Sequence, residues 1–314
     1  MGDQRKGGIA WTQQTWNCIR GCSIDGPECQ FCYAMGVAAR FSGLGQPYEG
    51  LARFSSQRRL PQWTGKVRFV TEHLDDPLRW TRPRLVFVNS MSDLFHEELS
   101  NEQIAAVFGV MAACPQHTFQ CLTKRAERMR EWFKWARGAF TEQQRGFTSA
   151  PNTARAMLDA AAEYLGTKND KLNAAWRRME NDAWPLPNVH LGVSAGTQAT
   201  ADAKIPHLLA CPAAVRWVSV EPQIGPVSLR AFPDGIGWVV QGGESSSKAR
   251  AFDLAWMDAL REECRELSIP YFAKQLGSNV LEYGQPRSFT GKADDPEEWP
   301  ERMRVREYPQ TETP

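Results

Sequence analysis

The chain is expected to be an α/β protein built on a parallel sheet, open or closed into a barrel. Two observations predict this. Short apolar runs recur at residues 67–71, 85–89, 118–122, 189–193, 215–220, 236–240 and 270–273, most of them apolar almost throughout. Near-continuous apolar runs suit strands covered on both faces. Between them lie stretches of helical spacing, at residues 101–113, 124–139, 200–209 and 254–267.

In chain order, residues 8–12 read as a short strand entering a loop that holds Cys18, Cys22, Cys29 and Cys32, four of the eight cysteines within WNCIRGCSIDGPECQFCY. Gly21, Gly26 and Pro27 supply its turn chemistry. The last three cysteines are spaced C-x6-C-x2-C, and a C-x2-C pair on a tight turn aims two thiolates at one centre. An iron–sulfur cluster on three cysteines and a structural zinc site on four both fit this spacing; a reduced loop or a disulfide is the plain alternative. After Tyr33 the spacing of AMGVAARFSGL predicts a helix, and residues 45–65 are turn-rich.

Ser100 and Asp253 are the expected N-caps of the helices that follow them. Residues 134–186 interrupt the strand–helix rhythm and predict two or three helices, either a rim insertion serving as lid or partner surface, or an elongated scaffold crossover. Residues 1–283 are expected to form the main body. Residues 284–314 read as a polar tail packed through Trp299, Val305 and Tyr308, with frayed last residues.

Composition narrows the function classes. With 37 basic and 36 acidic residues the net charge is +1, so attraction to nucleic acid has to be local. The segment KRAERMREWFKWAR, residues 124–137, is one place for it, with six basic against two acidic residues and interleaved aromatics. The same pattern also describes an amphipathic crossover helix, the favoured reading, with Met129, Trp132 and Phe133 inward. No signal-peptide core, myristoylation pattern (Lys6 stands where Ser or Thr is needed) or membrane-length apolar run is present. A cytoplasmic protein is expected, its cysteines serving a metal rather than disulfides.

In parallel α/β folds ligands bind at the carboxyl ends of strands. Six runs end in polar or glycine-bearing groups: Asn89, Ser90, Ser92, Asp93 and His96; Thr123, Lys124 and Arg125; Ser194 and Gly196; Glu221 and Pro222; Gln241, Gly242, Gly243, Glu244 and Ser245; Lys274 and Gln275. Such a ring around one mouth is a candidate site. His96 alone reads equally well as a satisfied surface histidine. Gly242 and Gly243 let a backbone approach a ligand, and Glu244 offers a carboxylate for a hydroxyl or amine. No dinucleotide fingerprint, P-loop or H-E-x-x-H motif occurs.

TWNCIRGCSIDGPECQFCYA, FVNSMSDLFHE, HTFQCLTKRAERM, NVHLGVSAGTQ, RWVSVEPQIGPV, VVQGGESS, YFAKQLG and DPEEWPERMRVREYP span residues 10–309. As a set they resemble the phage-associated three-Cys-motif family of radical-S-adenosylmethionine-like proteins, whose reaction is unassigned. The resemblance implies a partial or complete TIM-like (β/α) barrel. It also implies a 4Fe–4S cluster on Cys22, Cys29 and Cys32, with S-adenosylmethionine on the open iron. Tyr33 is then a candidate for packing on the adenine. Asn89, Ser90, Asp93, Ser194, Glu221, Gly242, Gly243 and Glu244 are candidates for holding S-adenosylmethionine or substrate. The expected activity is reductive cleavage of S-adenosylmethionine with hydrogen abstraction from an unknown substrate, and a three-Cys-motif partner protein is a candidate partner. The rival is a non-catalytic zinc knuckle that binds nucleic acid or protein. Two features depart from the pattern: the cysteine spacing is wider than the superfamily's commonest C-x3-C-x2-C, and Cys18 stands where the family usually has proline.

Overall fold

A computed structural model describes residues 8–57, 60–143, 153–166, 169–178 and 184–310. The start of the chain, parts of the 134–186 segment and the last four residues of the expected tail lie outside the described residues.

Seven parallel strands form one sheet in chain order: β1 (Gln14–Trp16), β2 (Leu85–Val88), β3 (Thr118–Thr123), β4 (Val189–Ser194), β5 (Val215–Val220), β6 (Trp238–Gly242) and β7 (Tyr271–Gln275). Val88 stands level with Cys121, Leu122 with Gly192, Val193 with Val218, and Val220 with Gln241, so all the carboxyl ends open on one side. The helices α1 (Tyr33–Arg40), α2 (Asn101–Ala113), α3 (Ala126–Gln143), α4 (Thr153–Leu165), α5 (Asp170–Arg178), α6 (Gln198–Leu209) and α7 (Leu254–Glu266) lie between strands.

Side-chain alternation along the strands makes two cores. Val86, Val88, Phe119, Cys121, Val189, Leu191, Val218 and Val239 face the helices. Phe87, Val215, Trp217, Trp238, Val240 and Phe272 face inward and close on Trp11. The Trp11 ring lies 4.6 Å from Phe87 on β2 and 6.1 Å from Trp238 on β6. In a flat sheet strands four places apart would be about 19 Å apart. One indole touching both requires a curled sheet, and the result is a half-barrel.

The open edge is covered. Ala273 N–H on β7 donates to Val305 O at 2.9 Å, and Glu307 N–H donates to Tyr271 O at 2.8 Å. Trp238 Nε1 donates to Glu307 O at 2.9 Å, the Tyr308 ring stacks on Trp238, and its hydroxyl donates to Ala10 O at 3.4 Å. Residues 305–308 thus satisfy a sheet edge that would otherwise expose unpaired backbone groups. Trp299 is buried and Val305 packs on the core, as expected of the tail.

The strand expected at 67–71 is not in this sheet. Only Arg68–Phe69 pairs, antiparallel, with Ile19–Arg20. Its run, VRFV, carries an exposed arginine, so it has one apolar face where a covered strand needs two. The first strand also starts later than expected, at Gln14 rather than within 8–12.

Ser100 caps α2 through a reciprocal box with Gln103, and the Asp253 side chain accepts from Ala255 N–H at the start of α7. Helix α2 is buried without a break from Ile104 to Ala112 because the sheet covers one side and α4 another. A Cβ added at Gly109 would meet Met157 O at 2.0 Å, so the two backbones are in contact there. Ala154, Met157, Leu158 and Ala161 bury the same face of α4, and Tyr164 packs edge-on against Phe69. The described helices of the 134–186 segment are therefore part of the scaffold.

Helix α3 takes the amphipathic form. Met129, Trp132 and Phe133 are buried, Arg128 donates to Asn101 Oδ1 at 2.7 Å, and Arg130 and Lys134 pair with Glu131. No helix among the described residues is long and apolar enough to cross a membrane.

Candidate functional site at the strand ends

The cysteine loop folds over the carboxyl ends of the strands and encloses a cavity. Gly21 makes the first bend, at φ +93°, where a Cβ would meet Lys66 O at 2.2 Å. A short turn over Pro27–Cys29 follows, and Cys32 N–H donates to Cys29 O at 3.3 Å. Cys32 is the residue before α1, so the amides of Ala34 and Met35 point at its sulfur. Burial raises the Cys32 thiol pKa, and those amides and Lys124 oppose the rise. Burial also pushes the Cys22 thiol up to about 12, reinforced by Asp93 and opposed by Arg125.

Cys22, Cys29 and Cys32 all line the cavity, and none is in a disulfide. Cys18 does not line it. Its side chain is fully buried in the helix-side core, with its sulfur 3.9 Å from Asn89 Oδ1. It lies only four residues before Cys22, yet the intervening strand Ile19–Arg20 and the bend at Gly21 turn the chain between them.

The most informative neighbour of the thiols is Lys124, just past β3. Burial disfavours its charge, but Cys29, Cys32, Asp93 and Cys22 outweigh that, and the ammonium is held above its ordinary pKa. Among the described residues no carboxylate lies within ion-pair distance of it. Arg125 has the opposite arrangement. Its guanidinium donates to Asp93 Oδ2 (3.2 Å), Glu97 Oε2 (2.6 Å), Ser23 O (3.2 Å) and Ser23 Oγ (2.6 Å), and approaches Cys22 Sγ at 3.9 Å. It fastens the Cys22 end of the loop to the sheet.

Of the residues expected at the site, Tyr33, Asn89, Ser90, Asp93, Glu221, Gly243 and Glu244 line this cavity. Tyr33 stands at its rim, 52% exposed, with its hydroxyl donating to Ser90 O at 2.8 Å. Asn89 takes a left-handed backbone, φ 59°, and its buried Nδ2 has no hydrogen-bond partner among the described residues. The Asp93 carboxylate is saturated, accepting from Phe95 N–H, Thr123 Oγ1, Lys124 N–H and Arg125. Glu221 pairs with Lys274. Glu244 binds Arg250 through its amide and guanidinium, which lies over the Phe31 ring of the cysteine loop.

Two expected residues are elsewhere. Ser194 is buried and donates to Glu221 O at 2.9 Å. Gly242 sits at a register shift between β6 and β7. The glycine pair admits neighbouring backbone: a Cβ on Gly243 would meet Leu276 O at 2.2 Å. His96 is a satisfied buried histidine, bonded to Ser23 Oγ and to Glu98 N–H, and is not on the cavity wall.

Lys124, Arg125, Lys274 and Glu28 also line the cavity; the first three stand in the strand-end ring and Glu28 lies between two of the cysteines. Glu28 Oε1 accepts from Gly196 N–H at 2.8 Å, while its buried Oε2 has no hydrogen-bond partner, with Lys204 3.6 Å away.

For a thiolate-bound metal group the donor chemistry fits. Three thiols face one cavity with a cation beside them, and Asn89, which also lines it, has a buried Nδ2 without a hydrogen-bond partner among the described residues. Among the described residues, however, no three His, Cys, Asp or Glu side chains are gathered closely enough to hold a metal ion as they stand.

The sequence family described as protein of unknown function, DUF5131, matches residues 6–302. No curated protein and no solved structure matches the chain.

Proposed function

We propose, from the premise that this chain belongs to the DUF5131 family of proteins of unknown function, that the strand-end cavity is the seat of a radical S-adenosylmethionine-type reaction. The observation that carries this reading is Cys22, Cys29 and Cys32 on one cavity wall with the Lys124 ammonium beside them, held charged largely by those thiols. The sequence resemblance to the phage-associated three-Cys-motif proteins points the same way, as does the partial (β/α) barrel.

In this reading Cys22, Cys29 and Cys32 hold a 4Fe–4S cluster. Such a cluster with S-adenosylmethionine supplies one-electron reductive cleavage of the sulfonium and hydrogen abstraction from a substrate. The protein's part is positioning and charge. Lys124 offsets the negative charge of three thiolates at the cavity wall. Arg125 holds the loop carrying Cys22, and Arg250, gripped by Glu244, holds the face of the loop near Phe31. Tyr33 and Trp63 form an aromatic rim on which a flat adenine ring can pack. Asn89 Nδ2 is a buried donor without a hydrogen-bond partner among the described residues, and it would serve a carboxylate or hydroxyl only if the side chain turned toward the cavity. The setting is a reducing cytoplasm, where these thiols stay free.

The zinc reading loses its fourth cysteine, since Cys18 is in the core. The test is anaerobic purification followed by metal analysis and an S-adenosylmethionine cleavage assay with a strong reductant. Brown protein containing iron and cleaving S-adenosylmethionine is expected. Cys22→Ala, Cys29→Ala and Cys32→Ala each lose the iron, and Cys18→Ala keeps it. Colourless protein with one tightly held zinc, or iron lost from Cys18→Ala, overturns the reading.

A further inference from the structure

Helix α1 and the hairpin Ala52–Phe54/Pro61–Trp63 form a small module with its own core of Ala38, Ala39, Tyr48, Leu51 and Ala52. One side of this module forms cavity wall, through Tyr33, Ala34 and Trp63. The rest of its surface is unusual in two ways.

The first is charge. Between residues 36 and 68 the described ionisable side chains are the cations Arg40, Arg53, Lys66 and Arg68 against the single anion Glu49. All four cations are exposed, and none has a carboxylate within ion-pair distance among the described residues. Arg68 donates to the carbonyls of Pro47 and Glu49. On α3, by contrast, Arg130 and Lys134 are paired with Glu131. For a chain of net charge +1 this is a local excess.

The second is apolar exposure. Of eight large hydrophobic residues exposed among the described residues, five lie between residues 24 and 54: Ile24, Tyr33, Phe41, Leu44 and Phe54. Three are aromatic, and Phe41 and Phe54 follow Arg40 and Arg53 in sequence. Exposed cations and exposed rings on one module match a flexible polyanion with flat bases, because the cations meet phosphates and the rings stack unpaired bases.

We propose that this module is a docking surface for single-stranded nucleic acid, DNA or RNA, laid across Arg40, Arg53 and Lys66 toward the Tyr33 rim. The docking stands on charge and ring exposure alone. That the bound strand is also what the cavity acts on rests on the function proposed above.

The test measures binding of the full chain to fluorescent oligo-dT and oligo-U of about twelve nucleotides, within the range of known single-strand site sizes. Removing one cation–phosphate pair lowers the salt slope by about 0.7. Arg40→Glu/Arg53→Glu/Lys66→Glu should therefore reduce the slope by about 2, and abolish about twenty-fold of the fall in affinity between roughly 50 and 200 mM salt. Phe41→Ala/Phe54→Ala should weaken binding several-fold with the slope unchanged. Arg130→Glu/Lys134→Glu on α3 should bind as the parent does. Circular dichroism checks that each variant is folded, and the stacking pair carries the test if the charge variant is not. A parent chain that binds neither oligonucleotide, binding abolished by the α3 changes, or attachment instead to anionic phospholipid vesicles through Leu44 and Ile24 overturns the proposal. Binding that persists in protein without iron supports the docking while removing the cluster, so the two readings fail separately.

Discussion

Replacing Arg125 with methionine should be among the most damaging single changes in this protein outside the apolar cores. The Asp93–Arg125 pair is 3.2 Å long with side chains only 6% and 5% exposed. Removing one member of such a buried pair leaves the other charge uncompensated, at about 3–5 kcal/mol. The bond to Glu97 adds less than about 1 kcal/mol, because that carboxylate is 60% exposed and screened. The two bonds to Ser23 add about 1 kcal/mol together after water replaces them. The expected loss is about 5 kcal/mol, read as a lower urea midpoint at unchanged slope. Because Arg125 also fastens the loop, Cys22 should become more reactive toward a maleimide, with the labelled residue identified by mass spectrometry. Asp93→Asn removes the stranded charge, so the double variant should be about 2 kcal/mol more stable than the two single losses predict when added. A loss below about 1 kcal/mol, or an unchanged Cys22 labelling rate, would show that Arg125 does not anchor the loop.

Three further outcomes follow from the packing. Gly109→Ala should cost at least about 2 kcal/mol, because its methyl would enter the Met157 carbonyl, and neutral thermal unfolding would mean that α2 and α4 are not in backbone contact. His190 is buried, with neither ring nitrogen hydrogen-bonded, and burial pushes its pKa down to about 4. The unfolded chain then binds a proton more readily below about pH 6.5, so about 3 kcal/mol of stability should be lost as pH falls to about 4. Parent-minus-variant stability for His190→Gln should trace that loss, and a flat difference refutes it. Glu244→Ala should lower the thermal midpoint by releasing Arg250 from above Phe31; an unchanged midpoint with weakened ligand binding would make Glu244 a free ligand instead.

The strands at 85–88, 118–123, 189–194 and 215–220 were legible to within a residue or so, because a strand buried on both faces writes a nearly continuous apolar run. The caps at Ser100 and Asp253 were legible because a side chain bonding its own next turn is a local matter. Strand-end position also located most of the cavity wall. What it did not reveal is which polar groups are already engaged. Asp93 and Glu244 look like free carboxylates in sequence, but Arg125 and Arg250 occupy them, and that depends on how two loops fold across the mouth. Gly242 and Gly243 read as room for a ligand, and the nearer claimant is the backbone after β7. Cys18 and Cys22 are neighbours along the chain that the turn of the chain sends into different environments, which spacing alone does not show.

The strap formed by residues 305–308 has a consequence during synthesis. Strand β7 is complete once residue 275 is made, but its outer edge and the Trp238 indole wait for residues 305–308. At about 5–20 residues per second, the intervening stretch takes roughly 2–7 seconds to translate. During that interval the nascent chain carries an unpaired edge of a parallel sheet beside an open aromatic interior, the kind of surface on which chains stick to one another. The contact that ends it, Tyr308 to Ala10, joins positions 298 residues apart. Yield of folded protein in a cell should therefore depend on chaperone capacity and on the speed of translation over the stretch that encodes residues 276–308.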